Sequence, residues 1–232
     1  MFDYIFSTCC PVCSSYQSDL NICYNCFSKF KFLVQNSCLK CQQPLRFTAE
    51  DIAICDKCFK DEVEFYDEMI CVFEYNEFLK NLILRFKNQE EFYLKKLFAK
   101  FIFNKIEHLL NEKSLIIPVP LHENRLLYRG FNQMEFIANE LLKLNSSVKV
   151  KRCLKKIHDT DSQGKKTIKE RQLNVANVFK VDLKFQNSIE GQNVFIIDDV
   201  ITTGATIFEC AKEVFKYKPA KIYLISIGRR VI

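Results

Sequence analysis

Residues 194–206 read Val-Phe-Ile-Ile-Asp-Asp-Val-Ile-Thr-Thr-Gly-Ala-Thr (VFIIDDVITTGAT), and the fold follows from how this stretch is read. Val194–Ile197 is an unbroken apolar run bounded by polar residues, the pattern of a strand covered on both faces in a parallel sheet. Two acids follow, Asp198 and Asp199, then a short polar loop with one glycine, then an amphipathic helix over Ala205–Phe215. A loop at the carboxyl end of a strand is where open α/β sheets bind ligands. Thr202, Thr203, Gly204, Ala205 and Thr206 bring hydroxyls and unpaired backbone N–H groups to a helix N-terminus, where both the donors and the helix dipole favour an anion. Gly204 lets the backbone come close to that anion. The two aspartates would repel a phosphate, but as acceptors they suit adjoining sugar hydroxyls. The pattern predicts a pocket for a 5-phosphoribosyl group, with phosphate on the loop and the ribose diol on the acids. The plain alternative is a helix cap beside incidental acids. A GTPase-type loop does not fit, because no Gly-Lys-Ser/Thr is present.

Outward from this stretch, strands and helices alternate. Lys221–Ile227 (KIYLISI) reads as a final strand, and the central strand as Asn193–Asp198. Upstream, Ser114–Leu121 (SLIIPVPL) reads as a short buried strand ending at Pro118, Ile70–Tyr75 as another, and Val178–Leu183 as a further short one. Helical spacing of apolar residues marks Asn76–Phe86, about Glu90–Leu110, and Gln133–Leu144, the last preceded by the chain break at Gly130. The fold class is therefore α/β, a mainly parallel sheet flanked by helices. The 232 residues, 48% hydrophobic and 27% charged, suit one medium domain with a small appendage.

The appendage is written in cysteine. Nine of the twelve cysteines fall in the first 58 residues, and eight of those form Cys-x-x-Cys pairs: Cys10/Cys13, Cys23/Cys26, Cys38/Cys41 and Cys55/Cys58. Each pair turns two sulfurs to one side, and two pairs complete a tetrahedral four-cysteine zinc site, with an iron–sulfur cluster as the alternative occupant. Pairing neighbours gives one site from Cys10, Cys13, Cys23 and Cys26 and a second from Cys38, Cys41, Cys55 and Cys58; spacing alone leaves an interleaved arrangement open. Closed thiolate sites make both zincs structural, and so short a module has too little core to fold without metal. Disulfides are disfavoured, since the opening residues lack a basic, then apolar, export signal and the cytosol keeps thiols reduced. No window approaches the roughly 18 uncharged apolar residues of a membrane span, so a cytoplasmic protein is expected. The predicted domains are residues 1–62, a double zinc ribbon, and 63–232. Cys71, Cys153 and Cys210 read as buried small apolar residues.

The net charge of +6 is concentrated between Lys149 and Arg171, where nine basic residues meet three acids. Such a run is either a solvated mobile loop or a phosphate contact.

The string at 194–206 resembles the 5-phosphoribosyl-1-diphosphate (PRPP) motif of type I phosphoribosyltransferases. A second string, Arg129-Gly130-Phe131-Asn132-Gln133, together with the cysteine pairs, the segment Arg85-Phe86-Lys87 and the ending Glu170, Arg171, Asn174, Phe179, resembles the ComF family of competence-associated proteins over nearly the whole chain and in the family's order. The resemblance implies that Asp198 and Asp199 contact ribose hydroxyls and that Thr202–Thr206 wrap the 5-phosphate. It places Pro118, Val119 and Pro120 in a pyrophosphate loop faced by Arg125 and Arg129, whose guanidinium forks match diphosphate oxygens. It makes the basic stretch, with Lys165, Lys166, Lys169 and Arg171, a flap over the site or a DNA contact, and it implies magnesium bound with PRPP. The implied role is handling of single-stranded DNA, alongside the DNA-uptake machinery, in natural transformation. Two alternatives stand beside it: a nucleobase phosphoribosyltransferase with an unidentified acceptor, and a zinc-ribbon adaptor for another protein.

Overall fold

The computed structural model describes residues 9–16, 22–33, 37–45, 54–60, 65–88, 91, 93–157 and 178–231. Within the cysteine-rich segment lie two short helices, α1 (Tyr24–Phe27) and α2 (Asp56–Lys60). The main body then runs β1 (Glu68–Glu74), α3 (Glu77–Lys87), α4 (Leu94–Ile106), β2 (Ser114–Pro118), α5 (Glu123–Arg129), α6 (Gln133–Leu144), β3 (Lys149–Val150), β4 (Leu154–Lys156), β5 (Phe179–Val181), β6 (Asn193–Ile201), α7 (Ala205–Phe215) and β7 (Lys221–Arg229). Five strands form one parallel sheet in the order β1-β7-β6-β2-β3, while β4 and β5 pair antiparallel in a separate hairpin.

Side chains alternate across a strand, and β6 sorts the core into its two halves. Phe195 and Ile197 pack with Phe86, Phe98 and Met134 under α3, α4 and α6. Val194 and Ile196 pack with Ile207, Cys210 and Val214 under α7 and the β4–β5 hairpin. The three cysteines outside the N-terminal segment are sealed in, as expected, and burial pushes the thiols of Cys71 and Cys153 up to about 12. They are inert packing residues.

Several elements depart from the sequence expectation, and three of them bear on the site. β6 runs to Ile201 rather than stopping at Asp198, because β7 continues beside it, pairing Val200 with Gly228 and Ile201 with Arg229. The second helix is shorter than Glu90–Leu110; α4 starts at Leu94 and gives way to a 3-10 turn at Glu107–Leu109. The stretch after β2 holds a helix, α5, that no periodicity announces, since none of its residues is buried.

The cysteine-rich segment adds itself to the sheet edge. Phe32 and Phe73 form an antiparallel bridge, Leu33 N–H donates to Val72 O at 3.2 Å, and Glu74 N–H donates to Lys31 O at 2.8 Å. Rings of Phe30, Phe32 and Phe101 close on Phe73 with centroids 4.6–5.0 Å away. An edge strand is thereby covered, and the aromatic burial ties the segment to the body. No helix among the described residues is long and apolar enough to cross a membrane.

Candidate functional site

The crossover after β2 leads to β3 on one side, and the crossover after β6 leads to β7 on the other. β2 and β6 are neighbours, so their connections part and leave a crevice at their carboxyl ends. A small open cleft lies there, lined by Asp198, Val200, Ile201, Thr202–Thr206 and Ile207. Thr202, Thr203 and Thr206 are exposed, and Gly204 is buried at φ +86°, the left-handed region. Among the described residues nothing accepts from the amides of Thr203, Gly204 or Thr206, while Ala205 N–H reaches Thr203 Oγ1 at a long 3.4 Å. Thr203, Gly204 and Thr206 all line the cleft at the N-terminus of α7, where the amides of a first helical turn have no intrahelical acceptor.

The two acids part company because they are consecutive on a strand. Asp198 shares the α7 face and lines the cleft. Its carboxyl is raised to about 7, first by displacement of water around it and second by the charge on Asp199, with Lys87 and Lys156 acting in the opposite sense. Asp199 turns to the other face, where its Oδ2 meets Lys87 Nζ at 2.5 Å and accepts from Gln133 Nε2 at 2.8 Å.

An acid raised from 3.8 holds its proton in the folded state while the unfolded chain loses it. The contribution of Asp198 to stability is therefore expected to fall as pH rises from about 4 to 7 and to be flat above. Asp198→Asn is expected to stabilise the protein by about 2–4 kcal/mol at pH 8, raising Tm by roughly 5–10 °C, with no gain at pH 3.5. Thermal melts at the two pH values check this; an equal gain at both would remove the protonation argument.

The string Arg129–Gln133 has a local logic. Gly130, at φ 80°, ends α5 in the left-handed cap position that suits glycine. Asn132 caps α6, accepting from Met134 N–H at 3.0 Å, and donates to Val119 O at 2.9 Å. That second bond ties the turn after β2 to α6. Gln133 accepts from Arg129 at 2.9 Å and passes the chain of bonds to Asp199. Pro118 and Val119 are buried and Pro120 is half-buried at the carboxyl end of β2; none of the three is among the residues that line the cleft. Arg125 is exposed on α5; Arg129 is half-buried, and burial, then the charge of Arg125, lower its pKa, while Asp199 opposes this. Lys165, Lys166, Lys169 and Arg171 lie outside the described residues, as do Glu170 and Asn174.

The cysteines gather as neighbours in sequence: Cys10, Cys13, Cys23 and Cys26 in one cluster, Cys38, Cys41, Cys55 and Cys58 in the other, with the sulfurs of each within 4.8 Å of one another. A tetrahedron with zinc–sulfur bonds of about 2.3 Å separates sulfurs by about 3.8 Å. Cys13 and Cys23 lie 3.7 Å apart, as do Cys41 and Cys55. Cys23 N–H donates to Cys10 Sγ at 3.4 Å and Cys55 N–H to Cys38 Sγ at 3.3 Å, bonds that suit thiolate acceptors. The donor sets thus fit two structural zinc ions. Cys9, exposed, belongs to neither.

A parallel sheet flanked by helices, an acid–threonine–glycine loop at its switch point and two four-cysteine clusters ahead of it define a type I phosphoribosyltransferase-like α/β protein with an N-terminal module of zinc-ribbon type. No family model matches the chain. It is 30% identical over 208 residues to competence protein ComFC of Bacillus subtilis, spanning 84% of this chain and 78% of the relative. It is 29% identical over 213 residues to competence protein F of Haemophilus influenzae, spanning 90% of each, and 23% identical over 180 residues to the DNA utilization protein YhgH of Escherichia coli K12, spanning 75% and 77%. The chain belongs to the ComF family. Among solved structures, a hypoxanthine phosphoribosyltransferase of Trypanosoma cruzi aligns with 61% of this chain and 68% of its own at 18% identity and TM-score 0.37, too remote to carry a substrate across.

Proposed function

We propose that the protein binds PRPP or a related phosphoribosyl ligand in the cleft after β6 and handles single-stranded DNA during DNA uptake. The observation that carries the ligand reading is the cleft itself, which Asp198 and Thr202–Thr206 at the α7 N-terminus line together at the switch point. The 5-phosphate sits on Thr202–Thr206, and Asp198 accepts from ribose hydroxyls. Asp199, held by Lys87 and Gln133, keeps the strand end in register and so orients Asp198. A diphosphate on the anomeric carbon points toward Pro118–Pro120, with Arg125 and Arg129 supplying positive charge. Magnesium, when bound with the ligand, neutralises diphosphate charge. The two zinc sites are structural, each with four thiolates and no open position. Relatives named for competence and for DNA utilization support the DNA role, as does the basic stretch from Lys149 to Arg171.

Calorimetric titration with PRPP and magnesium tests the first half. Binding is expected in the micromolar range and is expected to weaken at least 100-fold in Asp198→Asn. Filter binding of single-stranded DNA between 50 and 200 mM salt tests the second half, with log affinity expected to fall on log salt at a slope of about −2 to −4. No PRPP binding at millimolar concentration, or DNA retention indifferent to salt, would overturn the corresponding half. Pyrophosphate release with a nucleobase would shift the assignment to base transfer.

A further inference from the structure

Arg229 ends β7 with 6% of its surface exposed, yet no carboxylate pairs with it among the described residues. Its donors go to three backbone carbonyls: Nε to Cys41 O at 2.8 Å, and one terminal nitrogen to Ile201 O at 3.0 Å and to Thr202 O. A buried guanidinium normally needs a compensating anion. The second cysteine cluster can supply it: Nε bonds the backbone carbonyl of Cys41, one member of that cluster, and four thiolates around a divalent zinc carry a net charge of −2. The same guanidinium thus touches the rim of that cluster and the residues at which the phosphate loop begins.

A second line of contact runs parallel. Lys40, between Cys38 and Cys41, donates from Nζ to Tyr66 O at 2.7 Å, and Tyr66 Oη donates to Lys40 O at 2.5 Å. The Tyr66 ring stacks on Phe208 at 5.5 Å with planes 12° apart. Phe208 in turn lies so close over Gly204 that a Cβ there would stand 2.3 Å from its ring. Gln43 adds a bond to Arg230 O at 3.0 Å. Among the described residues the first cluster makes none of these contacts: its side reaches the body through Arg85, which donates to Val12 O at 3.0 Å, and through the Phe30–Phe73 packing.

We infer that the second zinc site positions the phosphate loop, with Arg229 as the residue that couples them through its bonds to Cys41, Ile201 and Thr202. Arg229 is the counter-cation of the zinc–thiolate cluster and the clamp on the strand end where the loop begins. When the metal leaves and the four thiolates take up protons, the cluster becomes neutral, the buried cation loses its anion, and the clamp lets go. The consequence for ligand affinity rests on the phosphoribosyl reading above; the coupling itself does not.

Hydrogen exchange on the full zinc-loaded chain tests the coupling without ligand. The reporters are the amides of Phe208, bonded to Gly204 O, and Arg230, bonded to Ile201 O. In Arg229→Gln these amides are expected to exchange at least tenfold faster, with two zinc ions per chain retained and the amides of Phe195–Ile197 unchanged. Cys58→Ser gives the same local signature, Cys13→Ser does not, and Arg229→Lys, which keeps the charge with fewer donors, falls between. PRPP affinity is expected to drop about tenfold in Arg229→Gln. Should Cys58→Ser disturb the central strand as well, Arg229→Gln alone decides. Wild-type exchange at Phe208 and Arg230 in Arg229→Gln overturns the coupling. Faster exchange there in a protein that binds no PRPP supports the coupling and overturns the ligand assignment.

Discussion

Stripping metal with a strong chelator is expected to release two zinc ions per chain and unfold both cysteine clusters while the five-stranded sheet stays folded. The expected effect is the largest available in this molecule. Structural zinc supplies about 10–16 kcal/mol of apparent binding energy per site in small ribbons at neutral pH, several times what one core side chain contributes. The clusters have little core to fall back on: between them Cys10, Cys23, Cys26 and Cys38 are the buried anchors, joined by Val12, Phe30 and Leu33. The sheet has its own core of Phe195, Ile197, Leu224 and Ile225, all with 0% exposure. A zinc indicator dye reports the stoichiometry, and protease sensitivity confined to the N-terminal segment reports the unfolding. Because the ligands must be thiolates, lowering the pH should release the same metal without chelator. Retention of protease resistance after both ions leave would remove zinc from the folding account.

The second large effect is expected from Gly204→Ala. The backbone there sits at φ +86°, which costs a residue with a Cβ about 1–2 kcal/mol. The new methyl would also meet the Phe208 ring at 2.3 Å, and the ring would have to move, disturbing its stack on Tyr66. Together these should destabilise the fold by about 2–4 kcal/mol and displace the amides that face the cleft, lowering PRPP affinity at least 100-fold. Chemical denaturation and calorimetry measure the two parts. The double variant Gly204→Ala/Phe208→Leu separates them: it should recover stability lost to the clash and leave the backbone cost. Wild-type PRPP affinity in Gly204→Ala would mean that the phosphate sits elsewhere.

Much of the fold and of the site is legible in the amino-acid sequence, for reasons that differ by element. Val194–Ile197 and Leu115–Ile117 announce themselves because strands buried on both faces leave no room for polar residues. The cysteine pairs are visible because a metal dictates their spacing. Helix α5 is invisible because Leu127 and Tyr128 are exposed, so its apolar residues carry no periodicity toward a core. The divergence of Asp198 and Asp199 requires the strand to reach Ile201, and that depends on Gly228 and Arg229, the partners of Val200 and Ile201 on β7, which are distant in sequence. Lys87 sits in the Arg85-Phe86-Lys87 segment, but its partner on β6 emerges only once α3 is laid over the sheet. Arg229 follows a strand pattern and looks like an ordinary terminal cation; its three carbonyl partners come from two distant segments.

The strand order also dictates when the molecule can be finished. β7, the last strand in sequence, is inserted between β1 and β6 and hydrogen-bonds to both. On the ribosome, the chain must carry two unsatisfied strand edges until Lys221–Arg229 emerges, because neither neighbour can pair with the other in its absence. Vectorial synthesis thus lets the cysteine clusters close before the sheet, whose centre is completed only by its keystone, β7.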